Sequence, residues 1–429
     1  MIVEAFKKMR EERPAAAAFL VSSGDRSVPI SWRQFTDDIA AVVWVIENYA
    51  PRGRVALLGE NSCEWITAHA ACLLAGACVI PLDVNLSAAE ICERLEFVGA
   101  NALIHSSLYA DKAKEVRRRI RRRVTFAGFG TLKTDVFILR GREHTRDGGL
   151  WKGDAPPRGE GAASPATAMI VFTSGTTTVP RGAELTVEGL EACVEAWGEA
   201  LPMAAGSQSL MLLPLYHIFG LAATYLMLVR GVALGVCPDF RRIYDATVRF
   251  RAQFAFLVPA LADILVAKCE QRGVGDLLWV VVGGAPVSPR TRMRFETLGV
   301  AVRTAYGLTE TTALYSIAPL GAPARPGSAG RAVALPGVEV KVSPGRELMI
   351  RGRNVLRGYY RAEEKTAEVL SADGWFRTGD IGRIDDDGYV WIEGRASRTI
   401  VLSSGKKIAP EELEEKLLLC PGVDRKSVV

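Results

Sequence analysis

Residues 169–182 read "MIVFTSGTTTVPRG". An apolar run ends at Phe172, and Thr173, Ser174, Gly175, Thr176, Thr177 and Thr178 follow it without a break. Pro180, Arg181 and Gly182 close the stretch. The segment "AMIVF" (168–172) reads as a short buried strand. In open α/β sheets ligands bind at the carboxyl ends of strands, which is where this loop begins. Small residues let backbone N–H groups converge on an anion, and hydroxyls add donors without bulk. Arg181 supplies a positive charge for phosphate oxygens. The loop is not a P-loop, because Gly182 is followed by Ala183 and Glu184 where lysine and a hydroxyl are required. Nor does any G-x-G-x-x-G follow a strand, so a dinucleotide fold has no support. Taken alone, the composition fits a solvated turn as well as a phosphate loop.

The surroundings are α/β in texture. "SWRQ" (31–34) reads as a capping box opening a helix toward Glu47, and "RVALLG" (54–59) as a buried strand. "SAAE" (87–90) opens another helix reaching Val98, and "ALIHSS" (102–107) follows as a strand. Residues 141–167, rich in Gly, Pro and charge, read as a surface loop leading into the opening stretch. "FAFLVPALADIL" and "LLWVVVGGAP" resume the alternation, which predicts a parallel sheet layered with helices. From Gly330 the pattern turns to apolar–polar alternation with turn signals, the mark of β-hairpins. "PEELEEKLLLCPGV" (410–423) reads as a final amphipathic helix.

Composition sets the bounds. The chain of 429 residues is 49% hydrophobic and 24% charged, which is globular, and its length calls for more than one packed unit. The formal charge of +5 is concentrated in "RRRIRRR" (117–123). No aromatic residues interleave with that run, so it reads as the solvated face and end of a helix, and no nucleic-acid partner is expected. The eight cysteines form no C-x-x-C pair, and the first residues carry no apolar signal segment, so a cytoplasmic protein with reduced thiols is expected. The most apolar stretch, 213–229, is short for a membrane span and contains Tyr216 and His217. No transmembrane segment is expected, and peripheral membrane contact stays open.

Three further segments bear on the loop. "VVVGGAP" (280–286) is a strand ending in two glycines, which let a flat ring approach the backbone. "AYGLTETT" (305–312) joins an aromatic ring, a glycine, hydroxyls and a carboxylate. "GWFRTGDIG" (374–382) places Asp380 among small residues, where a carboxylate suits a ribose diol.

In order and spacing these motifs resemble the acyl-adenylate-forming superfamily of acyl-CoA synthetases, peptide adenylation domains and luciferases, over about residues 31–413. The texture is most similar to bacterial acyl-CoA synthetases. The resemblance implies a large α/β domain over residues 1–397, with a β-rich, barrel-like subdomain from about 330. A hinge and the start of a second, α+β domain would occupy 398–429. It implies that the loop of Thr173, Ser174, Gly175, Thr176 and Thr177 closes over the β- and γ-phosphates of ATP, with Arg181 as its cation. Gly283, Gly284, Ala285 and Tyr306 would enclose adenine, with Gly307 also among the cofactor-binding residues. Thr309 would touch the α-phosphate, and Glu310 with Thr176 would hold Mg²⁺. Asp380 would bind the ribose hydroxyls with help from Arg395, and Gly405 would let the pantetheine of CoA pass. "LPLYHIFG" (213–220) is similar to the segment that places a histidine, here His217, beside the acid. It lacks the aspartate that amino-acid-activating members use. The implied reaction converts a carboxylic acid and MgATP to acyl-AMP, then to acyl-CoA, with a fatty acid favoured by the apolar surroundings. A carrier-protein-loading adenylation enzyme that acylates an acyl carrier protein, and a nucleotide-binding protein without full activity, are the alternatives.

The chain also departs from the family pattern. Thr178 replaces the usual glycine and Arg181 the usual lysine, so a planar fork stands in for a point charge. Arg398 occupies the hinge position. After Arg398 no P-x-x-x-x-G-K segment supplies the lysine that contacts the acid, and Lys406 and Lys407 come too early for it. The second domain is therefore expected to be truncated, and the chain alone to adenylate slowly or not at all while still binding MgATP.

Overall fold

The structure, a computed structural model, describes residues 1–24, 26–50, 52–121, 124–129, 167–173, 181–323, 325–396, 400–401 and 407–408. Helices start where the sequence sets caps. The Ser31 hydroxyl accepts from the Gln34 amide at 3.2 Å and opens the helix Trp32–Tyr49. At Ser87 the box is reciprocal. Its hydroxyl accepts the Glu90 N–H, and the Glu90 carboxylate accepts the Ser87 N–H at 2.8 Å. This helix, Ala88–Val98, ends on Gly99 in the left-handed region, a position that favours glycine. Such caps are worth about 1 kcal/mol each, enough to fix where a helix begins while burial decides where it packs.

Two large sheets carry the fold. In the first, the strands Ala301–Tyr306, Trp279–Gly283, Phe254–Leu257, Gln208–Met211, Ala233–Val236 and Ala17–Ser23 lie side by side and parallel. In the second, Met169–Thr173, Cys78–Leu82, Arg54–Leu58, Ala102–His105 and Thr125–Gly128 are parallel. Arg181–Leu185 and then Gly358–Tyr359 add to it antiparallel. The alternation of short apolar runs with helices anticipates both parallel arrays.

The β-rich part differs from expectation. Its hairpins form, but the subdomain is not barrel-like. The strands Val338–Val342, Glu347–Gly352, Phe376–Ile384 and Val390–Arg395 make an open antiparallel sheet in that order. Val338, Leu348, Ile350, Phe376 and Val390 join the main core. With one face already covered, the sheet has no need to close on itself.

A single core spans both large sheets. It unites Phe19, Leu234 and Phe254 of the first with Val55, Val79 and Met169 of the second through the helices Cys63–Leu74, Val187–Ala200 and Ile218–Val229. The apolar stretch at 213–229 is thus largely a buried helix, and no described helix is long and apolar enough to cross a membrane. In the helix Ala110–Arg119, Ala113 and Val116 face the core while Arg117, Arg118 and Arg119 are exposed, as the solvated-face reading expects. Cys63, Cys72, Cys78, Cys92, Cys193, Cys237 and Cys269 are free thiols. Residues 141–166 and the helix expected at 410–423 lie outside the described residues.

His69 sits at the centre of this core, fully buried. Its Nδ1 lies 2.7 Å from the Tyr225 hydroxyl and its Nε2 3.3 Å from Met169 Sδ. Its ring stacks on Trp65 with centroids 5.4 Å apart. The Met169 thioether can only accept, so the imidazole proton is assigned to Nε2 facing the sulfur, and the Tyr225 phenol, kept protonated by burial, donates to Nδ1. Burial also lowers the His69 pKa from 6.5 to about 3. Between those values the unfolded chain holds a proton at this site that the folded chain does not. Stability therefore falls as pH falls, by about 1.4 kcal/mol per pH unit from this group. A His69→Gln variant is expected to lose that component. Melting temperatures of both proteins between pH 7 and pH 5 check it: equally steep acid declines would contradict the assignment.

Candidate functional site

Because the central strands of the first sheet are parallel, Met211, Leu257, Gly283 and Tyr306 end on one edge. The chain leaving Tyr306 makes a tight turn. Thr309–Thr311 forms one 3₁₀ turn, and Thr312 and Ala313 then take positive φ values of 51° and 62°. Non-glycine residues adopt this conformation at a cost of roughly 1–2 kcal/mol each. Buried Asn354 holds the turn, donating to the carbonyls of Thr311 and Leu314 at 3.2 and 3.1 Å and accepting the Thr312 hydroxyl on its own carbonyl at 2.8 Å. Gly307 has no alternative, since a Cβ there would collide with the Ala313 carbonyl.

Asp380 lies inside the strand Phe376–Ile384, not in a turn, and is almost wholly buried. The Tyr306 hydroxyl donates to its Oδ2 at 2.5 Å, and Arg395 Nε lies 2.7 Å from its Oδ1. Asp380 and Arg395 are direct cross-strand partners, so strand register sets this pair. Burial, then the Asp380 charge, raise the Tyr306 pKa and keep its proton in place to donate. The Tyr306 ring packs against Tyr315, centroids 5.2 Å apart. The structure thus brings Tyr306, Asp380 and Arg395 into one hydrogen-bonded group.

A second group forms beside the same turn. Glu310 Oε1 accepts the Tyr359 hydroxyl at 2.7 Å, and the Glu310 carbonyl accepts the Leu356 N–H at 2.8 Å. Tyr359 is paired opposite Ala183, which puts it on the face of the second sheet that also carries Arg181. Arg181 is close enough for its charge to act on the Tyr359 phenol. Thr173 sits opposite Arg181 in the hairpin. Thr309, half-buried, opens the 3₁₀ turn next to Glu310.

The third group joins the acid segment to the glycine pair. Phe219 packs over Gly283: a Cβ on that glycine would sit 2.9 Å from Phe219 Cζ. Gly284 has φ +80° and is exposed with Ala285 at the rim. Behind Phe219 lie Trp197 and Phe256, with centroids 5.7 and 6.3 Å from it. His217 is the residue before the helix Ile218–Val229, exposed, with its ring 4.6 Å from that of Tyr216. The protein packed on its inner side lowers its pKa, opposed by the Asp83 carboxylate. The Tyr216 phenol is pushed up to about 12 by burial and by the adjacent Asp83.

Ser174, Gly175, Thr176, Thr177, Thr178, Arg398, Gly405 and Lys406 lie outside the described residues. Tyr359 and Asn354 were not marked by the sequence. Tyr359 belongs to "RGYY", which carries no periodic signal, and only its pairing with the second sheet brings it to Glu310. For Mg²⁺, no cluster of three acidic, His or Cys ligands exists among the described residues. An ion of this type keeps its waters and takes one or two carboxylates plus substrate phosphates, so a single carboxylate such as that of Glu310 is the kind of group to consider.

Comparison with known proteins finds relatives over most of the chain. The chain is 30% identical to an indoleacetate–CoA ligase of Aromatoleum aromaticum over 404 residues, 89% of this chain and 76% of that protein. It is 27% identical to a long-chain-fatty-acid–CoA ligase of Mycobacterium tuberculosis over 431 residues, 97% of this chain and 82% of that protein. Its fold superposes on an ATP-bound MatB from Rhodopseudomonas palustris with a TM-score of 0.83 at 24% identity, covering 99% of this chain and 84% of the other. The family described as AMP-binding enzyme matches residues 6–360, and the chain belongs to that family.

Proposed function

We propose that the protein is an ATP-dependent acid–CoA ligase, whose nucleotide-binding unit spans residues 1–397. The observation that carries the reading is the hydrogen-bonded group of Tyr306, Asp380 and Arg395, one turn away from Glu310. A buried carboxylate accepts from a ribose diol, and an aromatic face beside Gly283 and Gly284 takes adenine. Thr309 lies between these positions and Glu310, where an α-phosphate would reach it. Arg181 would meet the outer phosphates, as the family resemblance assigns to it and to the motif residues Ser174, Gly175, Thr176 and Thr177. Glu310, with Thr176 as the motif assigns it, would hold Mg²⁺, which would supply charge neutralisation at the phosphate oxygens.

The reaction then has two halves. The acid's carboxylate oxygen attacks the α-phosphorus, the bond to the β-phosphate oxygen breaks, and pyrophosphate leaves. The CoA thiol next attacks the acyl carbon, loses its proton, and AMP departs. His217, its pKa lowered, is neutral at pH 7 and offers the carboxylate a hydrogen bond rather than an ion pair. Phe219, half-buried and backed by the buried Phe256 and Trp197, provides apolar surface for the acid's tail, and a fatty acid is the proposed substrate. The fatty-acid and indoleacetate relatives both activate apolar acids by name, which supports an apolar tail. CoA is the acceptor in those names, which favours it over a carrier protein.

Two outcomes are expected. With ATP, CoA and a panel containing palmitate, octanoate, indole-3-acetate and 4-coumarate, mass spectrometry should find acyl-AMP and acyl-CoA, most abundantly from a fatty acid. Aryl products alone would overturn the tail assignment, ATP binding with no adenylate from any acid would favour the nucleotide-binding alternative, and neither ATP binding nor adenylate would overturn the reaction. Asp380→Ala leaves the Tyr306 hydroxyl without its acceptor, at a cost of about 1–3 kcal/mol. The melting temperature should fall by a few degrees, and calorimetry should show ATP binding weakened by at least tenfold. ATP binding at the original strength would remove Asp380 from the nucleotide site.

A further inference from the structure

Glu310 is held by residues of the chain that return to it from the second sheet. Its backbone carbonyl accepts from Leu356 and its carboxylate Oε1 accepts from Tyr359. Tyr359 is itself fixed. It pairs with Ala183 in the sheet, its N–H donates to the Thr366 hydroxyl at 2.9 Å, and only 7% of it is exposed. Among the described residues Glu310 Oε2 accepts no hydrogen bond, so the phenol engages one carboxylate oxygen and leaves the other available. Burial and the Glu310 charge raise the Tyr359 pKa, while Arg181 opposes them. The phenol is therefore a donor throughout the physiological range.

We propose that Tyr359 is a positioning residue for nucleotide-bound metal: its hydroxyl fixes the Glu310 carboxylate so that Oε2 faces the phosphate side of the cleft beside Arg181. A carboxylate on a 3₁₀ turn rotates about its side-chain bonds unless a second group holds it. The hydrogen bond removes that freedom before the ion arrives. It also links the turn after the first sheet to the edge of the second sheet, so the carboxylate and the Arg181 cation keep a constant separation. Groups that orient a metal ligand in this way typically contribute 10- to 100-fold in metal affinity. This inference rests on the reading that Glu310 takes the metal accompanying ATP.

Tyr359→Phe removes one oxygen and keeps the ring packing. Mn²⁺ serves as the probe, and its binding to the protein with ATP is read by electron paramagnetic resonance. Binding of metal-free ATP and the melting temperature are measured in parallel. We expect Tyr359→Phe to weaken Mn²⁺–ATP binding about tenfold, with metal-free ATP binding and the melting temperature nearly unchanged. Glu310→Gln separates the two levels of the argument. If Glu310→Gln weakens Mn²⁺–ATP and Tyr359→Phe does not, the positioning role is wrong and the metal assignment stands. If neither variant changes Mn²⁺–ATP binding, both fall. If Tyr359→Phe weakens metal-free ATP as much as Mn²⁺–ATP, the hydroxyl acts on the fold of the cleft and the positioning role is wrong. In the double variant the loss should not exceed that of Glu310→Gln alone, because the phenol acts only through that carboxylate.

Discussion

The turn that follows Tyr306 is the constraint on which the cleft depends. It reverses the chain at the carboxyl edge of the first sheet in so little space that Gly307 cannot carry a side chain. It also holds Thr312 and Ala313 in the left-handed region without glycine. Such a conformation persists only when its surroundings over-determine it. Here buried Asn354 does so, its side-chain amide donating to the turn twice and its backbone carbonyl accepting from it once. Tyr306 enters the turn and Glu310 lies within it, so both candidate ligand-binding side chains inherit its rigidity.

Around that turn three sheets meet, and each contributes through a polar contact. The third sheet sends Asp380 to Tyr306, and the second sends Tyr359 to Glu310. Neither bond is a large stability term, since an intramolecular hydrogen bond nets about 1 kcal/mol. Their effect is geometric. Burying the acceptor Asp380 makes the group costly to leave unpaired, so the contact is specific even where it is energetically modest. The apolar core behind the cleft does the opposite. It binds the two large sheets together through burial, with little directional preference, and His69 adds one oriented contact within it.

Much of the architecture is legible in the sequence because its causes are local. Ser31 and Ser87 mark helix starts through side-chain bonds to amides three residues away. The apolar runs at 54–58, 169–172 and 279–283 are too short and too continuous for anything but buried strands, and glycines mark the points where strands end. The barrel-like expectation failed for a non-local reason: alternation shows that a strand has one apolar face, but not what covers it. The four strands from Val338 to Arg395 cover that face with the main core and remain open.

The sequence by itself determined the strand–loop–strand pattern, the order of the motifs, and the family to which they belong. It also marked the segments of Tyr306, Glu310 and Asp380, because their residue types and glycine-rich settings suit a nucleotide, and the family resemblance added Arg395. Tertiary structure alone decided how these residues are connected. Asp380 and Arg395 face each other through strand register, and Tyr306 reaches them across 74 positions of chain. Tyr359 comes to Glu310 only because a two-residue strand pairs with Arg181–Leu185. Such contacts arise from the packing of sheets against one another, and no periodicity within a segment records which segment will lie beside it.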